Sequence, residues 1–174
     1  AGLRTRYWDW TARHGEMHYE KYCGTPPVHM LYALRKSLDM LLAEGLDNIF
    51  TRHRLLFGAV QAAVTAWAAA GVLEFNITEP AERAPSVTAV LMNGGHDPAR
   101  LLDYCRIKCG VVLGIAIGDL EGKAFRIAHM GHVNAPMVLG SLAVTETSLQ
   151  ALDIPHGKGG VQAAIDFLAQ SVAP

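Results

Sequence analysis

Two runs of helical periodicity meet at Gly45 with almost no linker between them, and this constrains the chain more than any other feature. In the first run Val28, Leu31, Leu34, Leu38, Leu41 and Leu42 recur at three- and four-residue steps, which lines one face of a helix over 28–43. Gly45 is placed to end it. The second run starts near Leu46 and Asp47 and carries Ile49, His53, Leu56, Val60, Val64 and Trp67. It reaches towards Ala70, and Gly71 is its stop. A domain boundary is therefore expected near Glu44–Asp47, dividing 1–45 from 46–174. Upstream of the first helix, Thr25 is the expected N-cap, and Pro26 and Pro27 fall where a first turn tolerates a missing N–H. A helix start gathers free N–H donors and the positive end of the dipole, so it can hold an anion. Tyr22 and Thr25 add two hydroxyls just before it.

The rest of the chain alternates strand and helix signals. Val72–Asn76 reads as a short strand, and Ser86–Met92, rich in β-branched residues, as the clearest one. Thr78–Ala84 is a loop with three charges. Asn93, Gly94 and Gly95 form a turn, and Asp97 then caps a helix with Pro98 at its first position, running to about Cys109. Short strands are expected at Val111–Gly114 and Ala124–His129. Helices follow from Asn134 to about Leu152 and from Gly160 to Val172. Residues 1–24 read as irregular. There Tyr7, Trp8, Trp10, Tyr19 and Tyr22 stand among Arg6, Asp9, Arg13, His14, His18 and Lys21, a mixture suited to an interface or a ligand mouth. The order of elements points to an α/β fold, a small sheet packed by helices.

Composition excludes several classes. The chain has 174 residues, 51% hydrophobic and 18% charged, enough for one ordinary core. A net charge of −1 does not suit a nucleic-acid binder or a protein drawn to an anionic membrane. The Ala-rich 60–73 stretch falls short of the eighteen or so apolar residues of a membrane span and carries Gln61, Thr65 and Trp67. No signal peptide is legible after Arg4 and Arg6. Three cysteines do not make a disulfide framework, so a reducing, cytoplasmic setting is the default.

Among candidate residues Arg126 stands out. It lies in Ala124-Phe125-Arg126-Ile127-Ala128, where alternation turns Phe125 and Ile127 one way and Arg126 the other. Its planar fork matches a carboxylate with two parallel bonds, although spacing alone favours a surface salt bridge. His129 and His132 flank Gly131 without a third ligand nearby, so no metal site is expected and the ordinary role is to tie the loop to its neighbours. Cys105 and Cys109 share a helix face and read as small buried hydrophobes. Gly157-Lys158-Gly159-Gly160 would be a weak phosphate loop, but no strand precedes it.

Tyr22-x-x-Thr25, then Pro27-Val28 and the Leu31-Tyr32-x-Leu34-Arg35 helix, resembles the class V (fold type I) pyridoxal-phosphate aminotransferases of the serine–glyoxylate and alanine–glyoxylate type. Arg6-Tyr7-Trp8-Asp9-Trp10, Arg52-His53-Arg54, Gly122-Lys123-x-Phe125-Arg126-Ile127, His129-Met130-Gly131-His132-Val133-Asn134 and Ile154-Pro155-His156-Gly157 agree in order. Members of that family run to about twice this length, on the order of two domains. The resemblance implies the C-terminal part of such an enzyme. Residues 1–45 would be the end of the large cofactor-binding domain with the interdomain helix, and 46–174 the small domain. The cofactor lysine would lie before this sequence begins, since Lys21, Lys36, Lys108, Lys123 and Lys158 all lack its context, and the chain alone would be inactive. The resemblance further implies a homodimer in which Tyr22 and Thr25 reach the phosphate of the partner's pyridoxal 5′-phosphate, while Arg126 binds the substrate α-carboxylate. The donor would be serine, alanine or aspartate and the acceptor glyoxylate or another 2-oxo acid. The alternative is a non-catalytic module that kept the small-domain fold and binds a partner or a small carboxylate.

Overall fold

The computed structural model describes Gly2, Thr5 and residues 7–171; Arg4, Arg6 and Val172, named above, lie outside them. The chain divides into two compact units, Ala1–Leu46 and Asp47–Pro174.

In the first unit a 3-10 turn, Trp10–Arg13, is capped by Asp9, whose carboxylate accepts from the Thr11 N–H at 3.0 Å. The lead-in is more ordered than its composition suggests. A short helix α1 (His18–Lys21) forms because the Glu20 carboxylate reaches back to the Met17 N–H at 3.0 Å. The long helix α2 (Val28–Glu44) has Pro27, not Thr25, as its N-cap. The Pro27 carbonyl accepts from the Leu31 N–H at 3.1 Å, so the helical ladder begins there and Thr25 stands two residues too early to cap it. Gly45, at φ 85°, closes α2 with its N–H on the Leu41 carbonyl. No described residue of this unit is buried.

The second unit holds the core. Helix α3 (Leu46–Ala68) runs into it, burying Leu56, Val60, Val64 and Trp67 at helical spacing. The sheet is built from β1 (Leu73–Phe75), β2 (Val87–Met92), β3 (Gly114–Ile115) and β4 (Ala124–Ala128), in the order β1-β2-β4-β3, every pair antiparallel. Alternation along β2 buries Thr88, Val90 and Met92 and leaves Val87, Ala89 and Leu91 half-buried. Helices α4 (Pro98–Cys109), α5 (Ala135–Ala151) and α6 (Gly160–Ser171) complete the unit. Asp97 and Asn134 cap α4 and α5, accepting from the N–H groups of Ala99 and Met137. Trp67 and Phe125 are the largest fully buried side chains, each worth roughly 1.5–3 kcal/mol of transfer free energy. Glycine sets two contacts: a Cβ at Gly58 would meet the Phe167 ring at 2.0 Å, and one at Gly160 would meet Trp67 Nε1 at 2.1 Å.

One strand is displaced from its expected place. Val111–Leu113 forms no strand, and only Gly114 and Ile115 of this stretch pair with β4. The Val111 N–H turns back to the Cys105 carbonyl at 3.0 Å, so it closes α4 instead of joining the ladder. Among the described residues, no helix is long and apolar enough to cross a membrane.

Candidate functional site

Arg126 sits mid-way along β4, half-buried between Phe125 and Ile127, which face the core. Its ladder neighbours on the same face are Ala89 of β2 and Gly114 of β3, two residues with almost no side chain. The arginine is thereby left a clearing. Its Nε donates to the Ile115 carbonyl at 2.7 Å. No acidic side chain among the described residues pairs with it, in contrast to Arg35 with Asp39 and Arg106 with Asp103. The terminal edge of the guanidinium, Nη1 and Nη2, is the part not committed to Ile115, and it is the end-on face that grips a carboxylate with two parallel bonds.

The segment just beyond Arg126 is clamped by α3. Arg52 Nη1 donates to the carbonyls of Gly131 at 2.9 Å and Val133 at 2.8 Å. The Gly131 N–H donates to His53 Nε2 at 3.0 Å, while His53 Nδ1 meets the Ile49 carbonyl at 2.8 Å. These partners require the neutral Nδ1–H tautomer of His53. Arg52-His53-Arg54 and the 129–134 loop, far apart in the sequence, form one joint in the structure.

A second string of hydrogen bonds holds the end of β4 from below. Arg83 donates to the carbonyls of Ile77 at 2.8 Å and Thr78 at 3.0 Å, and to Gln61 Oε1 at 2.7 Å, with its guanidinium 3.7 Å from the Phe75 ring centre. Gln61 Nε2 then donates to Thr88 Oγ1 at 3.0 Å, and Thr88 Oγ1 lies 3.0 Å from His129 Nε2. With Gln61 donating, the Thr88 hydroxyl is free to donate to His129 Nε2, which keeps that imidazole neutral. His129 is fully buried, and burial pushes it down from 6.5 to about 4; the Pro85 carbonyl opposes the shift and His53 adds to it. The cavity beside this string, lined by Gln61, Phe75, Arg83 and Thr88 among others, measures about 30 Å³, room for a water and not for a substrate. Arg83, Gln61 and Thr88 were not legible in the sequence, because the bonds that join them to one another and to His129 span 22, 27 and 41 positions.

The structure disposes of two weaker candidates. In the Gly157–Gly160 segment the Gly157 N–H donates to the Trp67 carbonyl at 2.9 Å, and the Gly159 N–H, with that of Val161 just beyond, donates to the Glu146 carboxylate at 2.9 Å and 2.8 Å. Burial raises the Glu146 pKa, but these N–H groups outweigh it and the net shift is downward. A phosphate would have to displace a carboxylate there. Cys105 is buried with its Sγ donating to Ser148 Oγ at 3.2 Å, and burial pushes its thiol up. Among the described residues no group of three or more His, Cys, Asp or Glu is placed to hold a metal ion.

In the other unit, Tyr22 follows α1 as its C-cap and Thr25 lies in the turn before α2. Cys23, at φ 56°, and Gly24, at φ 144°, separate them. Both side chains are exposed. Neither hydroxyl is engaged in a hydrogen bond among the described residues. Tyr22 and Thr25 thus belong to one unit and Arg126 to the other.

No protein-family model matches the chain. Individual relatives do. It is 33% identical over 167 residues to the serine–glyoxylate aminotransferase of Methylorubrum extorquens, covering 95% of this chain and 40% of that protein. It is 33% identical over 153 residues to the L-aspartate–glyoxylate aminotransferase of Paracoccus denitrificans, covering 87% of this chain and 38% of that one. Its fold matches the crystal structure of the ureidoglycine–glyoxylate aminotransferase of Bacillus subtilis with a TM-score of 0.79 and 28% identity, over 96% of this chain and 43% of that one. By sequence and fold the chain is homologous to aminotransferases over most of its length. Within them it is homologous to the glyoxylate-using group, and it spans about two fifths of the length of the curated relatives it matches.

Proposed function

We propose that this chain supplies the substrate-carboxylate site of a longer, homodimeric pyridoxal-phosphate aminotransferase. The observation that supports it most is Arg126, whose guanidinium is anchored through Nε while its terminal edge has no acidic partner among the described residues. An arginine held this way aligns an amino acid by its α-carboxylate, and a fixed carboxylate fixes which Cα–H can be removed. By kinship the donor is serine, alanine or aspartate and the acceptor glyoxylate or another 2-oxo acid.

Residues 46–174 are in this reading the small domain, and 1–45 the end of the large domain with the interdomain helix. Tyr22 and Thr25 would hold the phosphate of the cofactor in the partner subunit. Their exposed, unengaged hydroxyls fit that task, since neutral donors suit a phosphate already paired with charge elsewhere. Bound pyridoxal phosphate supplies the electron sink for the carbon that loses its proton. The lysine that carries it lies outside these residues, so the chain alone has no transaminase activity. The three free cysteines suit a cytoplasmic enzyme.

The test is kinetic, on the full-length enzyme. Arg126→Ala raises the KM for the amino donor by roughly 10²-fold, the loss of a charged two-point contact. Tyr22→Phe combined with Thr25→Val instead speeds cofactor loss on dialysis with little effect on that KM. An unchanged KM in the first variant, or unchanged cofactor retention in the second, contradicts the corresponding role.

A further inference from the structure

Gly114 stands across the ladder from Arg126, on the edge strand β3. Its backbone is outside the left-handed region that ten of the chain's seventeen glycines occupy, so conformational freedom does not require glycine here. Strand propensity also disfavours it. What Gly114 offers is space. A Cβ built on it would lie 3.1 Å from Arg126 Cβ, 3.3 Å from the Arg126 carbonyl oxygen and 3.5 Å from its Nε. The two shortest contacts involve the strand backbone and the root of the side chain, which cannot swing aside as a flexible tip can. On the opposite flank Ala89 keeps Arg126 similarly clear. The next residue along β3, Ile115, provides the carbonyl that holds Nε at 2.7 Å.

We propose that Gly114 is a positioning residue for Arg126: the bare backbone at 114 lets the arginine stem lie against β3, engage the Ile115 carbonyl through Nε, and present Nη1 and Nη2 end-on to the substrate carboxylate. This rests on the reading of Arg126 as the carboxylate site. Any side chain at 114 pushes the stem outward by a few tenths of an ångström and turns the fork away from its ligand. A β-branched residue there improves the strand while it damages the site. Those opposite effects separate a positioning role from a scaffolding one.

The experiment uses the full-length enzyme and glycolate, a small hydroxy acid with no amino or oxo group to exchange, as a competitive inhibitor against the amino donor. Gly114→Ala raises the glycolate Ki by roughly fivefold and Gly114→Val by more, with thermal stability unchanged or higher. In an Arg126→Lys background, Gly114→Ala changes Ki by less than about twofold, because the fork it positions is gone. A Ki unmoved by Gly114→Ala overturns the proposal, and so does an equal rise in both backgrounds. Should Arg126→Lys alone leave Ki unchanged, the carboxylate reading itself fails. A sensitive Arg126 with an indifferent Gly114 removes only the glycine's role.

Discussion

At the scale of single residues, the site depends on what its neighbours withhold. Arg126 has Ala89 and Gly114 beside it and a backbone carbonyl, not a carboxylate, on its Nε. An acidic neighbour would have satisfied the arginine and closed it to a ligand. His129, three residues on, shows the opposite strategy: it is sealed and held neutral. Its pKa in the folded chain is about 4 against an ordinary 6.5, so between those values the unfolded chain takes up a proton that the folded one refuses. Stability is therefore full above about pH 6.5 and falls towards pH 4, by on the order of 3 kcal/mol from this residue. Urea unfolding measured from pH 7 to pH 4 checks it. His129→Phe should flatten that part of the pH dependence, and an unaltered slope would contradict the assignment. That Arg126 faces away from Phe125 and Ile127 was legible from strand alternation, whereas its carboxylate role was implied by the family resemblance alone. The string that supports His129 was not, because Gln61 and Thr88 are 27 positions apart and Thr88 and His129 are 41 apart.

At the scale of elements, capping and periodicity carried most of the information. Asp97-Pro98 and Asn134-Ala135-Pro136 start helices where their chemistry says they should. The failures have local physical reasons. Thr25 has the hydroxyl of an N-cap, yet the ladder begins at Pro27. Val111–Leu113 has the composition of a strand, but a strand needs a partner, and β4 meets only the two residues that follow. The joint between α3 and the loop after β4 was also hidden, since Arg52 and Val133 are 81 positions apart. This joint should matter to the site, because it fixes the chain immediately downstream of Arg126. Arg52→Ala removes a donor from two carbonyls and should lower the stability of the second unit by about 1–3 kcal/mol. Chemical denaturation monitored by Trp67 fluorescence measures it. A variant as stable as the parent would show that the joint is dispensable.

At the scale of the whole molecule, the two units differ in kind. Asp47–Pro174 encloses a core around Trp67, Phe125, Leu101 and Leu142. Ala1–Leu46 buries none of its described residues, and Leu42 of α2 is 73% exposed. A helix of α2's length with no buried face is marginal in water. In the 174-residue chain on its own, the amides of α2 should exchange with solvent within seconds while those of β2 and β4 stay protected. Equal protection would mean that α2 is stable without further cover.

The central claim is that Arg126 recognises a carboxylate by its charge. The most direct measurement is the ratio of kcat/KM for an amino-acid donor to that for the same donor with its carboxylate replaced by a neutral carboxamide, in the full-length enzyme and in its Arg126→Gln variant. A charge-reading arginine predicts a parent preference for the acid of roughly 10²-fold or more, collapsing towards unity in the variant. A preference that survives the substitution would place carboxylate recognition on some other residue.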